Sequence, residues 1–196
     1  MGRKSARAGQ GEGMRRDLVE AASRGDHEAF EVLATSAGDR LYAVARLVLR
    51  APDLAEDAVQ EALVRAWQQL PSLRDPDRFD AWLHRLVVNA CADQGRQLRR
   101  WSQQVRPLPL DASISDDTGS VADREQLERG FNRLKPEQRA VIVLHYYSGF
   151  SAAEIARILG IPEGTARSRL HYATEAMRAA LEADARQPAV AQNRTA

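Results

Sequence analysis

From Phe150 to Met177 the chain reads FSAAEIARILGIPEGTARSRLHYATEAM, two amphipathic helical patterns set about one glycine. Ser151 and Glu154 stand at capping-box spacing: the serine oxygen can accept from an orphan amide of the first turn, and the glutamate can reach back to the amide of the cap. This predicts a helix opening at Ser151. Ile155, Ile158 and Leu159 repeat on one face, and Gly160 then supplies the residue that turns left-handed after the last periodic leucine. The first helix is therefore expected to stop near Leu159. Pro162 suits a first-turn position, where its missing amide costs nothing, so a second helix is expected from about Pro162 through Met177 and a little beyond. The pattern is that of a helix-turn-helix, whose second helix places its N-terminal residues in the major groove. Arg167 and Arg169 then stand where arginine can bond guanine edges or phosphates. A solvated arginine face on an ordinary helical hairpin is the plainer alternative; the cap, Gly160 and Pro162 together favour DNA binding.

The 196 residues have room for one or two domains. With 28 basic and 27 acidic residues the formal net charge is +1, so any affinity for nucleic acid must come from local patches. Lysine occurs only at Lys4 and Lys135; the remaining cations are arginines, the better forks for phosphate and guanine, although genome composition explains the bias equally well. Cys91 is the single cysteine, which excludes an internal disulfide or a cysteine-based zinc site. Within the apolar run LVVNAC it reads as a small core residue rather than a redox switch. The N-terminus is basic and glycine-rich without the apolar core of a signal peptide, and no run of about 18 apolar residues appears. The expected location is cytoplasmic.

Residues 1–13 and the polar tail 186–196 look disordered. An apolar stripe of Phe30, Leu33, Leu41, Val44, Ala45, Val48 and Leu49 is interrupted at Gly38, which either kinks one helix or separates two. Pro52 marks a break, and Asp53 with Glu56 repeats the capping-box spacing in acidic form at the start of a helix that ends before Pro71. Pro71–Asp77, PSLRDPD, is a loop by its prolines and turn formers. A third helix begins near Asp77, buries Phe79, Trp82, Leu83, Leu86 and Val87, and ends in Arg96, Arg99 and Arg100. Those arginines suit either the helix dipole or a phosphate backbone. From residue 101 to 122 periodicity vanishes, Pro107 and Pro109 forbid a helix, and Asp111, Asp116 and Asp117 make the stretch an acidic linker. Helical pattern resumes from Val121 to Leu134, and a helix opened by Pro136 buries Val141, Ile142 and Leu144 and stops near Gly149. With no strand-like alternation, the expected fold is all-α, two small helical domains joined by a flexible linker.

Asp53, Glu56, Asp57 and Glu61 crowd one helix, yet a di-metal bundle needs a Glu-x-x-His from each of two helices, and no glutamate here has a histidine three residues on. His27, His84, His145 and His171 are scattered. Walker loop, nucleophile elbow and Ser/His/Asp signals are all missing, so no enzyme activity, metal or cofactor is expected.

In their order along the chain, DLAEDAVQEALVRAW (Asp53–Trp67), FDAWLHRLVVNACAD (Phe79–Asp93) and LKPEQRAVIVLHYYSGFSAAEIARILGIPEGTARSRL (Leu134–Leu170) resemble the bacterial RNA polymerase sigma factors of the extracytoplasmic-function (ECF) type, over about residues 26–185. The resemblance implies a region 2 domain over residues 14–100 for core binding, −10 recognition and melting, and a region 4 domain over 123–185 for −35 recognition. It implies core RNA polymerase as partner, through the clamp helices of its largest subunit and its flap region, together with promoter DNA and regulation by an anti-sigma factor. No membrane insertion and no small-molecule substrate are implied.

By resemblance, Asp57, Gln60 and Glu61 face the basic clamp. Asn89, which can both donate and accept at a base edge, holds an extruded −10 base, with Asp93, Arg96, Arg99 and Arg100 around it and the segment Leu73–Arg78 as the capping loop. Thr165, Arg167, Ser168, Arg169 and Tyr172 meet the −35 element, Arg167 being the first choice for a base edge. Tyr172 and Thr174 depart from the family pattern, standing where arginine or lysine is frequent. The linker passes through the polymerase cleft and RNA exit path, where Asp111, Asp116 and Asp117 mimic nucleic-acid charge. One competing reading stays open, a stand-alone regulator whose C-terminal helix-turn-helix binds DNA alone while its N-terminal half senses a ligand or dimerises; a di-metal helical enzyme fails on histidine spacing.

Overall fold

The computed structural model describes residues 3–102 and 121–185, with side chains from residue 13 to 96 and from 126 to 183. Among the described residues every regular element is helical, and the chain divides into two compact units, Met1–Pro109 and Leu110–Ala196.

The first unit is built from α1 (Arg3–Ser23), α2 (His27–Leu49), α3 (Pro52–Gln69) and α4 (Phe79–Ser102). α3 packs on both α2 and α4, and α1 lies on α2. The core holds Leu33, Leu41, Val44 and Ala45 of α2, Ala55, Ala58, Ala62 and Ala66 of α3, and Phe79, Leu83, Val87 and Ala90 of α4. The alanines repeat every three or four residues along α3, so one side of that helix is small and lets its neighbours approach closely. Trp67 closes the end of α3 on α2, its ring centroid 4.2 Å from His27 and 5.2 Å from Phe30.

α1 has too weak a periodicity to stand out in sequence; buried Val19 and Ala22 attach it. The Gly38 alternative resolves as one uninterrupted helix, opened by the Asp26 carboxylate, which accepts from the Ala29 amide at 3.1 Å. Asp53 is not a cap. Pro52 already occupies the first turn of α3, Ala51 is the cap residue without a side-chain bond, and Asp53 lies inside the helix, where only its charge favours the N-terminus. The PSLRDPD segment forms two single 3-10 turns, Leu70–Ser72 and Pro76–Arg78, the second capped by Asp75 accepting from the Asp77 amide. α4 starts directly from it at Phe79 and buries Phe79, Trp82, Leu83, Leu86 and Val87, the stripe expected from its sequence.

The second unit contains α5 (Val121–Arg133), α6 (Pro136–Ile142), α7 (Ala152–Leu159) and α8 (Glu163–Ala185), with α5, α6 and α7 all packed on α8. Ala166, Ala173, Met177 and Ala180 form the buried seam of α8. Gly130 of α5 sits against it: a β-carbon there would stand 2.8 Å from the Met177 sulfur. After Ile142 the helix widens into a π-turn, Val143–Tyr147, which the sequence pattern did not announce. The wider turn keeps Val143 and Leu144 in the core while His145 Nδ1 bonds the Phe150 carbonyl at 2.8 Å.

The helix-turn-helix forms as its residues dictate. Glu154 N–H donates to Ser151 Oγ at 3.3 Å and Ser151 N–H donates to Glu154 Oε2 at 2.8 Å, closing the capping box. Ser151 Oγ also donates to Glu154 Oε2 at 2.7 Å, and this bond, with that from the Ser151 amide, holds the Glu154 carboxyl below its usual range. Gly160 takes φ +65° and ends α7. Pro162 stands one residue earlier than expected, as the cap of α8: its carbonyl accepts from the Thr165 and Ala166 amides at 2.9 and 3.0 Å.

Candidate nucleic-acid interface

On α8 the buried seam at Ala166, Ala173 and Met177 leaves the opposite side to solvent. At about 100° per residue, Thr165, Ser168 and Tyr172 fall along one line of that side, while Arg167 and Arg169 lie on its two flanks, about 200° apart. Arg167, Ser168, Arg169 and Tyr172 are exposed and Thr165 is half-buried. Arg167 is engaged locally, its Nη2 bonded to Glu163 Oε1 at 2.5 Å one turn back. Ser168 Oγ donates to the Thr165 carbonyl at 3.0 Å, which turns the hydroxyl toward its own helix. Tyr172 is 67% exposed, with its ring 5.5 Å from that of His171. A helix with a small-residue seam behind and a mixed hydroxyl, aromatic and guanidinium face in front has the shape and chemistry to enter a major groove.

On α4 the exposed positions are Arg85, Asn89, Ala92 and Arg96, spaced four, three and four residues apart, so Asn89 stands mid-strip between two arginines. Sequence reading singled out Asn89 and Arg96 but missed Arg85; the same polar periodicity, read as the complement of the buried stripe, finds it. Asp93 lies beside the strip, bonded by Arg96 on its own helix and, at 3.2 Å, by Arg65 Nη1 of α3. Partial burial works against its charge, but the hydrogen bonds from Arg96 and Arg65 prevail and hold its carboxyl below the ordinary range. Arg99 and Arg100 belong to the α4 backbone, and their side chains lie outside the described residues, as does the linker with Asp111, Asp116 and Asp117.

Behind this strip sit two buried groups without a surface role. Cys91 is buried, and desolvation pushes its thiol up to about 12. Burial likewise lowers the pKa of His84, whose Nδ1 meets the Asp80 carbonyl at 2.8 Å.

α3 turns Asp57 and Gln60 outward and leaves Glu61 half-exposed, within the acidic side opposite its alanine seam. Glu61 Oε1 receives Arg65 Nη2 at 2.5 Å, so the acidic face of α3 and Asp93 of α4 share one guanidinium. Val64, 57% exposed, lies beside Gln60 and Glu61 and gives that face an apolar contact point. No helix among the described residues is long and apolar enough to cross a membrane.

Residues 33–101 match the model of the sigma-70 region 2 family and residues 124–177 that of sigma-70 region 4. The chain is 37% identical over 153 residues to the ECF RNA polymerase sigma factor SigM of Mycobacterium tuberculosis, an alignment covering 78% of this chain and 77% of that one. Among solved structures it is similar to the sigma factor RpoE in complex with the anti-sigma factor NepR from Bartonella quintana, with TM-score 0.69, 29% identity and coverage of 79% of this chain and 98% of the other. It is also similar to CnrH in complex with the cytosolic domain of CnrY, with TM-score 0.63, 29% identity and coverage of 87% and 98%.

Proposed function

Because the chain belongs to the ECF sigma factors of bacterial RNA polymerase, a family that is not one of enzymes, we propose that its two exposed polar helix faces divide promoter reading between them. The protein binds core polymerase and directs initiation at specific promoters. We assign Asn89 to an extruded −10 base, with Arg85 and Arg96 beside it on phosphates; stacking and backbone contact, rather than groove reading, is what an opened strand offers. Asp93 is a positioning group, holding Arg96 on the strip through its own hydrogen bond. The face of α8 meets the −35 element, Arg167 toward a base edge and Arg169 toward a phosphate wall, with Thr165, Ser168 and Tyr172 between them. Asp57, Gln60 and Glu61 dock on the basic clamp, where their acidity is complementary.

The observation that carries this reading is the pairing of two such faces in one chain whose formal charge is only +1. Each reader is weak without a strong phosphate field. When polymerase holds both, the second contact becomes effectively intramolecular, and two weak contacts give one specific one. The two solved relatives above are each bound by a second protein named as an anti-sigma factor or as a cytosolic domain, which supports control of this chain by an anti-sigma protein. Transcription in vitro with purified core polymerase over a promoter library tests the reading: initiation confined to promoters sharing a −35 and a −10 element is expected, and unselective initiation overturns it.

A further inference from the structure

The segment joining α3 to α4 and the first turn of α4 are held from outside by arginines of two other helices. Arg16 Nη1 of α1 reaches Asp77 Oδ2 at 3.0 Å. Arg15, one residue earlier, bonds Asp80 Oδ1, and Arg40 Nη2 of α2 reaches the same oxygen at 3.3 Å. The Arg15 guanidinium also stands 5.8 Å from the centroid of the buried Phe79 ring, within reach of a cation–π contact. α1 itself packs on both 3-10 turns, Leu70–Ser72 and Pro76–Arg78. Val19 and Ala22 also attach α1 to the bundle through buried apolar contact. These ion pairs are substantially exposed, and such pairs add little to global stability. Their consequence is local: they set where Leu73–Arg78 stands relative to the first turn of α4.

We propose that Arg15 and Arg16 are positioning residues for −10 base selection, α1 acting as a brace that fixes the Leu73–Arg78 segment against the start of α4. The inference rests on the reading of that segment as the loop that covers an extruded base. Neither arginine touches DNA in this role: Arg16 acts through Asp77 of the segment and Arg15 through Asp80 in the first turn of α4, so the two fix one against the other. Exposed ion pairs are weak, so the effect is a redistribution among loop positions and hence among bases, rather than loss of the fold.

The test uses holoenzyme assembled from the full chain and core polymerase, transcribing libraries randomised separately at the −10 and −35 elements. The R15Q/R16Q double variant is expected to change relative preference among −10 bases by about two- to fivefold, with −35 ranking and core affinity unchanged. R15K/R16K, which keeps the charges, is expected to restore the ranking, and so is the R16D/D77R exchange relative to R16D alone. A parallel L73A/R74A variant perturbs the loop directly. If it shifts −10 preference while R15Q/R16Q does not, the loop reads bases without the brace, and the proposal is overturned while the loop reading stands. If neither variant shifts preference, the loop reading falls and takes the proposal with it. Uniform loss of activity across all −10 variants by R15Q/R16Q, without reordering, marks a merely structural role and also overturns it.

Discussion

Arg65 of α3 joins Asp93 of α4 at 3.2 Å while its other terminal nitrogen holds Glu61 at 2.5 Å, so one guanidinium ties the acidic face of α3 to the edge of the Asn89 strip. Reversing Glu61 therefore disturbs two assignments together. Asp57, one turn earlier and exposed, is the cleaner probe of docking alone. Asp57→Arg is expected to weaken core polymerase binding by at least on the order of tenfold, since like charges facing each other across an interface cost about several kcal/mol. Co-elution with core on gel filtration, followed by titration, measures it; unchanged affinity of Asp57→Arg and of Asp57→Arg/Glu61→Arg together removes this face from docking.

Asn89→Ala is expected to leave stability and core binding intact, because the side chain is exposed and contributes nothing to the buried stripe of α4. Promoter opening is expected to fall, since the base-edge partner is lost while the strip and its phosphate contacts remain. Permanganate reactivity of melted thymines reads the opening directly. Normal opening by a folded variant excludes the base-holding role.

Two buried groups make stability predictions of a different kind. The folded pKa of His84 is lowered from its ordinary value of 6.5, first by desolvation, against the Asp80 carbonyl bond and with help from the charge of Arg40. The unfolded chain thus binds the proton more readily. Its contribution is complete above 6.5 and is lost as pH falls below that value toward the lowered folded pKa. Urea midpoints measured between about pH 7.5 and 5.5 are expected to fall on acidification, and His84→Gln is expected to flatten this slope at a cost in overall stability. Cys91, with its thiol pushed up to about 12 by burial, is expected to resist thiol reagents at neutral pH until the protein is unfolded. Labelling at the rate of an exposed thiol in the native protein contradicts its packing.

The helix-turn-helix was legible nearly to the residue because its signals are local: a side chain bonding an amide three positions on, and a glycine at positive φ. The buried stripes of α2 and α4 were legible for the same reason, being periodic in one strand of sequence. What escaped reading was decided by contacts between distant residues or by near-ties in local preference. Gly38 is tolerated inside α2 because the packing of Leu33, Ala37 and Leu41 outweighs about 1 kcal/mol of helix propensity. Asp53 lost the cap position to Ala51, because Pro52, with its fixed φ, starts the helix two residues sooner. α1 is held mainly by Val19 and Ala22, too little apolar signal to call a helix from sequence. Arg65 sits among ordinary surface residues of α3, and its ties to Glu61 and Asp93 exist only once two helices are side by side. The face assignments on α4 and α8 follow from which sides are buried; the bases they meet do not.

The proposed roles on the α8 face separate specificity from affinity. Arg167 begins in an exposed i to i+4 pair with Glu163, and such a pair contributes about 0.3–0.5 kcal/mol, so releasing it to a guanine edge costs little. A good bidentate base contact discriminates by about 1–3 kcal/mol at one position. Arg169 stands on the other flank, where a phosphate contact strengthens all sequences alike. Arg167→Ala holoenzyme is therefore expected to relax preference at one −35 base pair by about tenfold while leaving other positions ordered as before. Arg169→Ala is expected to lower initiation across all −35 variants without reordering them, and to reduce the salt dependence of promoter binding. Glu163→Gln supplies the control, since it frees Arg167 without altering its reach: preference is expected to stay and affinity to rise slightly as one acidic charge near the DNA is removed. Transcription from a saturated −35 library, repeated at two salt concentrations, reads all three variants at once. A −35 ranking that survives Arg167→Ala unchanged takes base reading away from that residue and leaves it to the line of Thr165, Ser168 and Tyr172.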